Sequence, residues 1–98
     1  MYKITYFPEV IEDFESIPND VLDEARKYIK KLKANPYSCS LPLYGNLSTC
    51  RKIYIAKATY RIVIQIENNI AKIVEIVAVG KRENKEVYSE ASSRINKK

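Results

Sequence analysis

The side chains of this chain that are best suited to chemistry are cations and tyrosines in its second half. Lys52 and Arg61 lie in stretches of alternating apolar and polar residues, and Arg82 precedes Tyr88 by about one and a half helical turns. Clustered cations and tyrosines suit a substrate that offers phosphate groups and stackable bases. This interpretation requires the four side chains to share one cleft. Otherwise Lys81 and Arg82 form a solvated basic turn, and Tyr88 packs on the sheet.

The composition excludes several familiar kinds of active site. The chain contains no histidine, so neither a Ser–His or Cys–His nucleophilic site nor the usual zinc sites can form. Its glycines are Gly45 and Gly80, which are too few for a glycine-rich phosphate loop. Any acid–base chemistry therefore falls to lysine, tyrosine, arginine, carboxylates or the substrate itself.

Length, charge and cysteine content restrict the class of protein. The chain has 98 residues, which makes a single domain over residues 1–98. Its net charge of +5 and pI near 9.2 favour an anionic partner, such as nucleic acid or a membrane surface. Cys39 and Cys50 are predicted to be free thiols, as in a reducing cytoplasm. The polar N-terminus and the lack of a long apolar run predict a cytoplasmic protein without a membrane span.

A β-hairpin over residues 50–67 is predicted to position two of the cations. Both halves alternate with period two, on either side of a break at residues 58 and 59. Lys52 and Tyr54 fall on the same face as Arg61, because directly opposed residues point to one side of a sheet. Isoleucines occupy the other face: Ile53, Ile55, Ile62, Ile64 and Ile66. A solvated polar face is the ordinary explanation of such a hairpin, so the alternation alone assigns it no function.

The register of this hairpin and the strand that follows it decide which side chains meet. A two-residue loop would place Ala56 opposite Arg61 and Tyr54 opposite Val63. Residues 71–79 are largely apolar on both faces, so they are predicted to form an interior strand of the sheet. If that strand lies beside the hairpin, the corner that follows it brings Arg82 to one end of the polar face.

The whole chain reads in the order β-α-α-β-β-β-α, which is an α+β fold. An N-terminal strand precedes two helices, whose apolar stripes are predicted to cover the isoleucine face of a mostly antiparallel four-stranded sheet. Residues 36–49 are predicted to be a surface connection. A short amphipathic helix with a thin apolar face is predicted from about residue 85 to residue 94.

Residues 79–95, V-G-K-R-E-x-x-E-V-Y-S-E-A-x-x-R-I, resemble the C-terminal signature of RelE-type toxins. The resemblance extends upstream through Y-R-I-V-x-Q from Tyr60, C-x-K-I from Cys50 and L-x-G from Leu43, so it covers essentially the whole chain. These toxins are the ribosome-dependent mRNA interferases of bacterial and archaeal toxin–antitoxin pairs. The resemblance therefore implies a RelE-like fold and a metal-independent endoribonuclease without a cofactor.

The resemblance also implies a reaction and its catalytic residues. The enzyme enters the ribosomal A site, where the ribose 2′-hydroxyl of the codon attacks the adjacent phosphorus and leaves a 2′,3′-cyclic phosphate and a 5′-hydroxyl. Lys52, Arg61, Arg82 and Tyr88 match the family's catalytic positions. Arg61 and Arg82 would neutralise charge on the phosphorane oxygens, and this electrostatic stabilisation is usually the largest contribution. Lys52 or Tyr88 would transfer the protons.

The chain departs from the family pattern at two positions. Tyr54 stands where RelE-type sites carry a second lysine, and Tyr44 stands near L-x-G where the family has an arginine. Tyr54 could take over proton donation, or Lys57 or Lys81 could reach the substrate instead, or cleavage could be slower. We therefore predict that Tyr54, Lys57 and Lys81 contact the substrate.

The implied partners are a RelB-like antitoxin, the ribosome with its 16S rRNA, and mRNA. Operator DNA is expected to bind only through the antitoxin, and no membrane partner is expected. The C-terminal helix is the part that we expect the antitoxin to displace or pin. Two alternatives use the same fold or surface: a non-enzymatic ParE-like toxin that inhibits DNA gyrase, and an RNA-binding module with a weakened active site.

Overall fold

The structure, a computed structural model, describes residues 1–68, 71–81 and 86–96, and it confirms the α+β class. Its elements are β1 (Lys3–Tyr6), α1 (Val10–Ser16), α2 (Asn19–Ala34), β2 (Leu41–Pro42), a 3₁₀ turn (Gly45–Leu47), β3 (Cys50–Ile55), β4 (Tyr60–Asn68), β5 (Lys72–Lys81) and α3 (Glu86–Asn96). The strands form one sheet in the order β1-β5-β4-β3-β2. The two-residue strand β2 is an addition to the four predicted strands, in a region predicted to be only a surface connection.

The interior position predicted for the strand of residues 71–79 is confirmed. β5 lies between β1, to which it is parallel, and β4, to which it is antiparallel. It contains a β-bulge, because Val63 pairs with Ala78 while the next residue, Ile64, pairs with Ile76. Val77 is therefore left without a partner on β4.

The predicted two-residue hairpin loop is wrong, although the predicted faces are right. Tyr54 lies opposite Arg61 and Lys52 lies opposite Val63, so the true register differs from the prediction by two residues. The favoured two-residue loops carry asparagine, aspartate or glycine, and Ala58 and Thr59 are none of these. The chain instead turns over four residues, 56–59. A shift of two residues leaves every side chain on its predicted face.

The helices lie on the two faces of the sheet. α1 packs against β5, α2 packs against β1 and β3, and together they cover the isoleucine face as predicted. α3 packs against β4 and β5 on the side of Gly80, where a Cβ atom added to Gly80 would lie 3.4 Å from Cβ of Val87. Val87 and Ala91 of α3 are fully buried, so this helix has the thin apolar face that its sequence predicts.

Candidate active site

The hairpin brings Lys52, Tyr54 and Arg61 into one cluster. Because Tyr54 and Arg61 are directly opposed on β3 and β4, the guanidinium carbon Cζ of Arg61 lies 4.0 Å from the centroid of the Tyr54 ring. The ammonium nitrogen Nζ of Lys52 lies 5.2 Å from the same centroid. Both distances are in the range of cation–π contacts. The Tyr54 ring thus makes cation–π contacts with both Lys52 and Arg61.

Arg61 is a buried cation whose hydrogen-bonding capacity is only partly used. The residue is 6% exposed, and its Nη1 donates to the carbonyl oxygen of Ala58 at 3.2 Å. Its Nε is buried and has no acceptor within the described residues. A buried donor without a partner costs about 1–3 kcal/mol, a cost that an anionic ligand oxygen could remove. Arg61 is therefore a buried positive charge with an unused donor beside Tyr54.

The loop next to Arg61 has an unusual backbone. Ala56, Lys57 and Ala58 have φ values of 50, 53 and 70°, a left-handed conformation that costs non-glycine residues about 1–2 kcal/mol each. Hydrogen bonds hold this loop: Thr59 N–H donates to the carbonyl oxygen of Ala56 at 3.0 Å, and Ala56 N–H donates to Oε2 of Glu24 at 3.1 Å. The loop carries Lys57 at an exposed position and presents to Arg61 the carbonyl oxygen of Ala58.

Tyr88 lies on α3, on the same side of the sheet as the Lys52–Tyr54–Arg61 cluster, but it lines a separate groove. That groove has a volume of about 670 Å³ and lies between α3 and the 3₁₀ turn. Its walls include Asn46 and Tyr44, which is 81% exposed. Tyr88 therefore lies on the helix that covers this face of the sheet. The residues that line its groove do not include Lys52, Tyr54 or Arg61.

The other predicted site residues are differently placed. Lys81 pairs with Tyr60 and follows Gly80, so it points to the face opposite Arg61. It lines a cavity of about 260 Å³ together with Asp13 and Glu90. Arg82 lies outside the described residues. Lys57 and Lys81 are both exposed, and their predicted contacts with the substrate stay predictions.

Sequence reasoning did not single out two pairings that shape this region. Glu24 of α2 holds the hairpin loop by accepting a hydrogen bond from Ala56 N–H. Asp13 of α1 is buried and forms an ion pair with Arg94 of α3. The hydrogen bond to Asp13 raises the pKa of Arg94 above its ordinary value, and burial opposes that shift. Both pairings join residues distant in the sequence, so no local pattern could reveal them.

Residues 1–68, 71–81 and 86–96 contain neither a metal-binding cluster nor a membrane-spanning helix. No group of three or more histidine, cysteine, aspartate and glutamate side chains there could hold a metal ion. No helix in the same residues is long and apolar enough to cross a membrane.

Two relatives match almost the whole chain. The chain is 30% identical over 94 residues to a RelE-like toxin protein of Escherichia coli, a match that covers 96% of this chain and 97% of the relative. It is 29% identical over 94 residues, with the same coverage, to the mRNA interferase toxin RelE of Escherichia coli strain K12. No family model matches the chain.

Solved structures support the same relationship. A mutant of the Escherichia coli toxin RelE in the free state matches with a TM-score of 0.76 and 27% identity, over 96% of this chain and 97% of that chain. The RelE mutant in complex with a peptide of the antitoxin RelB matches with a TM-score of 0.65 and 26% identity, over 92% and 93% of the two chains. The resemblance inferred from residues 43–95 is thus confirmed, and the chain belongs to the family of RelE-like toxins.

Proposed function

We propose that this protein is the toxin of a toxin–antitoxin pair and an endoribonuclease that cuts mRNA in the ribosomal A site. The observation that carries the proposal is the cluster of Lys52 and Arg61 at the Tyr54 ring, in which Arg61 is a buried cation whose Nε has no acceptor within the described residues. The 29% identity to an mRNA interferase over 96% of the chain supports the choice of substrate. Because the proposed target is the ribosome, the proposed location of the protein is the cytoplasm.

The cluster suits a metal-independent transesterification. The 2′-hydroxyl of the codon attacks the adjacent phosphorus, the bond to the 5′-oxygen of the next nucleotide breaks, and a 2′,3′-cyclic phosphate and a 5′-hydroxyl remain. Arg61 and Arg82 neutralise the additional negative charge of the phosphorane. Lys52 or Tyr88 accepts the proton of the attacking hydroxyl or supplies the proton of the leaving oxygen.

The proposed protein partner is a RelB-like antitoxin. The similar Escherichia coli RelE mutant that binds a RelB peptide supports this proposal. Such a partner would neutralise the toxin and connect it to operator DNA. The remaining partners are the ribosome, including 16S rRNA near the A site, and the mRNA itself, which agree with the net charge of +5.

Primer-extension mapping of an mRNA in a reconstituted translation reaction tests the proposal. We expect cuts confined to the A-site codon with the wild-type protein and none when ribosomes are omitted. Arg82→Ala and Arg61→Ala should each reduce the cutting rate by about two orders of magnitude or more. The matched control is Arg26→Ala, which removes the same charge from an exposed position on α2 and should leave cutting unchanged.

Two results of this experiment would contradict the proposal. Full activity of Arg61→Ala and Arg82→Ala would contradict the assigned roles of these arginines. Absence of any cut by the wild-type protein would contradict the nuclease activity itself. A DNA gyrase supercoiling assay would then test the ParE-like alternative, and RNA binding without cleavage would indicate a weakened site.

A further inference from the structure

The edge of β5 beyond Ile76 is closed by two side chains instead of a strand. β1 pairs with β5 only as far as Tyr6 and Ile76, and Phe7 N–H donates to the carbonyl oxygen of Ile76 at 2.9 Å. Further along the same edge, Val79 N–H donates to Oδ2 of Asp13 at 3.0 Å. The carbonyl oxygen of Val77, at the bulge, accepts from Nη1 of Arg94 at 2.9 Å. These are main-chain groups that would otherwise be left unpaired.

Asp13 and Arg94 also bind each other in the strongest geometry available to such a pair. Nη1 of Arg94 lies 2.7 Å from Oδ2 of Asp13, and Nη2 lies 2.9 Å from Oδ1, so the contact is bidentate. The two side chains are 9% and 11% exposed, so solvent screens the pair only weakly. Lysine cannot reproduce this contact, because its ammonium group lacks the planar fork of the guanidinium.

The Asp13–Arg94 ion pair holds the last turns of α3 against the sheet. α3 has 11 residues, too few for a helix that is stable without tertiary contacts. Val87 fixes its first turn by packing on Gly80, and Arg94 fixes its last turns to α1 and to the edge of β5. A helix held near both ends has one orientation, and that orientation determines where Tyr88 points.

We infer that the Asp13–Arg94 ion pair positions Tyr88 for catalysis, so that both residues are positioning residues of the active site although neither touches the substrate. The inference rests on the proposed nuclease function. It assigns α1 a part in the reaction, because Asp13 connects that helix to the strand edge and to α3 at once.

Cleavage rates of Arg94→Lys in two backgrounds test the inference. Arg94→Lys keeps the charge but loses the bidentate contact, and we expect a loss of about 100-fold in the rate of ribosome-bound cleavage, with ribosome affinity unchanged. In a Tyr88→Phe background the same change should cause little further loss, because the group that it positions is already gone. In a Lys52→Ala background the loss should persist in full.

A matched control and a second measurement keep the result independent of folding. Arg26→Lys alters an exposed ion pair on α2, where Nη1 of Arg26 lies 3.7 Å from Oδ1 of Asp23, and should change neither cleavage nor exchange. Amide hydrogen exchange over residues 86–96 should be faster in Arg94→Lys than in the wild type and in Arg26→Lys.

The outcomes separate this inference from the proposed function. An inactive wild-type protein contradicts the nuclease function before any variant is compared. With an active wild type, an Arg94→Lys variant that cleaves normally overturns the inference. Equal losses in the wild-type and Tyr88→Phe backgrounds also overturn it, because general destabilisation would then be the cause.

Discussion

Tyr54 offers the sharpest test of how the cationic cluster is built, because it stands where related toxins carry a lysine. Its ring lies 4.0 Å from the Arg61 guanidinium and 5.2 Å from the Lys52 ammonium. We predict that the ring, which holds both cations, contributes more than the hydroxyl. Tyr54→Leu removes both cation–π contacts, whereas Tyr54→Phe preserves them.

The size of the effect follows from the burial of the two cations. A cation–π contact contributes about 0.5–1 kcal/mol at exposed sites and about 2 kcal/mol when the cation is desolvated. Arg61 is buried, but Tyr54 itself is 38% exposed, so we expect a total loss of about 2 kcal/mol for Tyr54→Leu. In a domain of this size that loss lowers the Tm by about 8–16 °C. Tyr54→Phe should stay within about 1 kcal/mol of the wild type.

Thermal unfolding and A-site cleavage, both measured on Tyr54→Leu and Tyr54→Phe, test this prediction. We expect Tyr54→Phe to cleave within about tenfold of the wild-type rate, since loss of a general acid would cost about 10²–10⁴-fold. Tyr54→Leu should lose cleavage as well as stability, because Arg61 loses its support. Tyr44→Leu is the control for stability, as this tyrosine is 81% exposed. A 100-fold slower Tyr54→Phe, or a Tyr54→Leu variant as stable as the wild type, would refute the reasoning.

Three further predictions concern the surroundings of the site. Glu24→Ala should lower the free energy of unfolding, measured in urea, by about 1–2 kcal/mol, because it removes the acceptor of Ala56 N–H. Ala56→Gly should raise the free energy of unfolding, because glycine adopts the φ of 50° without strain. A Glu24→Ala variant with the free energy of unfolding of the wild type would show that the loop is stable without Glu24. Burial raises the pKa of Cys50 above its ordinary value of 9.0, so the folded state retains the proton more firmly than the unfolded chain. The contribution of Cys50 to stability should be constant below about pH 9 and be lost as the pH rises further, so above pH 9 the stability should fall less steeply in Cys50→Ala; equal slopes would contradict this. Gly80→Leu should displace α3 through Val87 and speed exchange over residues 86–96, while normal exchange would mean that α3 can shift to make room.

Much of the fold was predictable because its signals are local. Alternation with period two placed Lys52, Tyr54 and Arg61 on one face and the isoleucines on the other, and that assignment survives a register error of two residues. Residues 71–79 are apolar on both faces, and this local feature identified them as an interior strand of the sheet. The motif of residues 79–95 led to the family, since it is a property of the sequence alone.

Only the tertiary structure decided how the site is held together. The pairing of Tyr54 with Arg61 depends on a left-handed loop closed by Glu24, which lies 32 residues before the main-chain donor that it binds. The ion pair of Asp13 and Arg94 joins residues 81 positions apart, at a sheet edge that exists only because β1 ends at Tyr6. Such contacts have no period in the sequence. They arise when main-chain groups left unpaired by the strands must be satisfied by side chains that folding brings within reach.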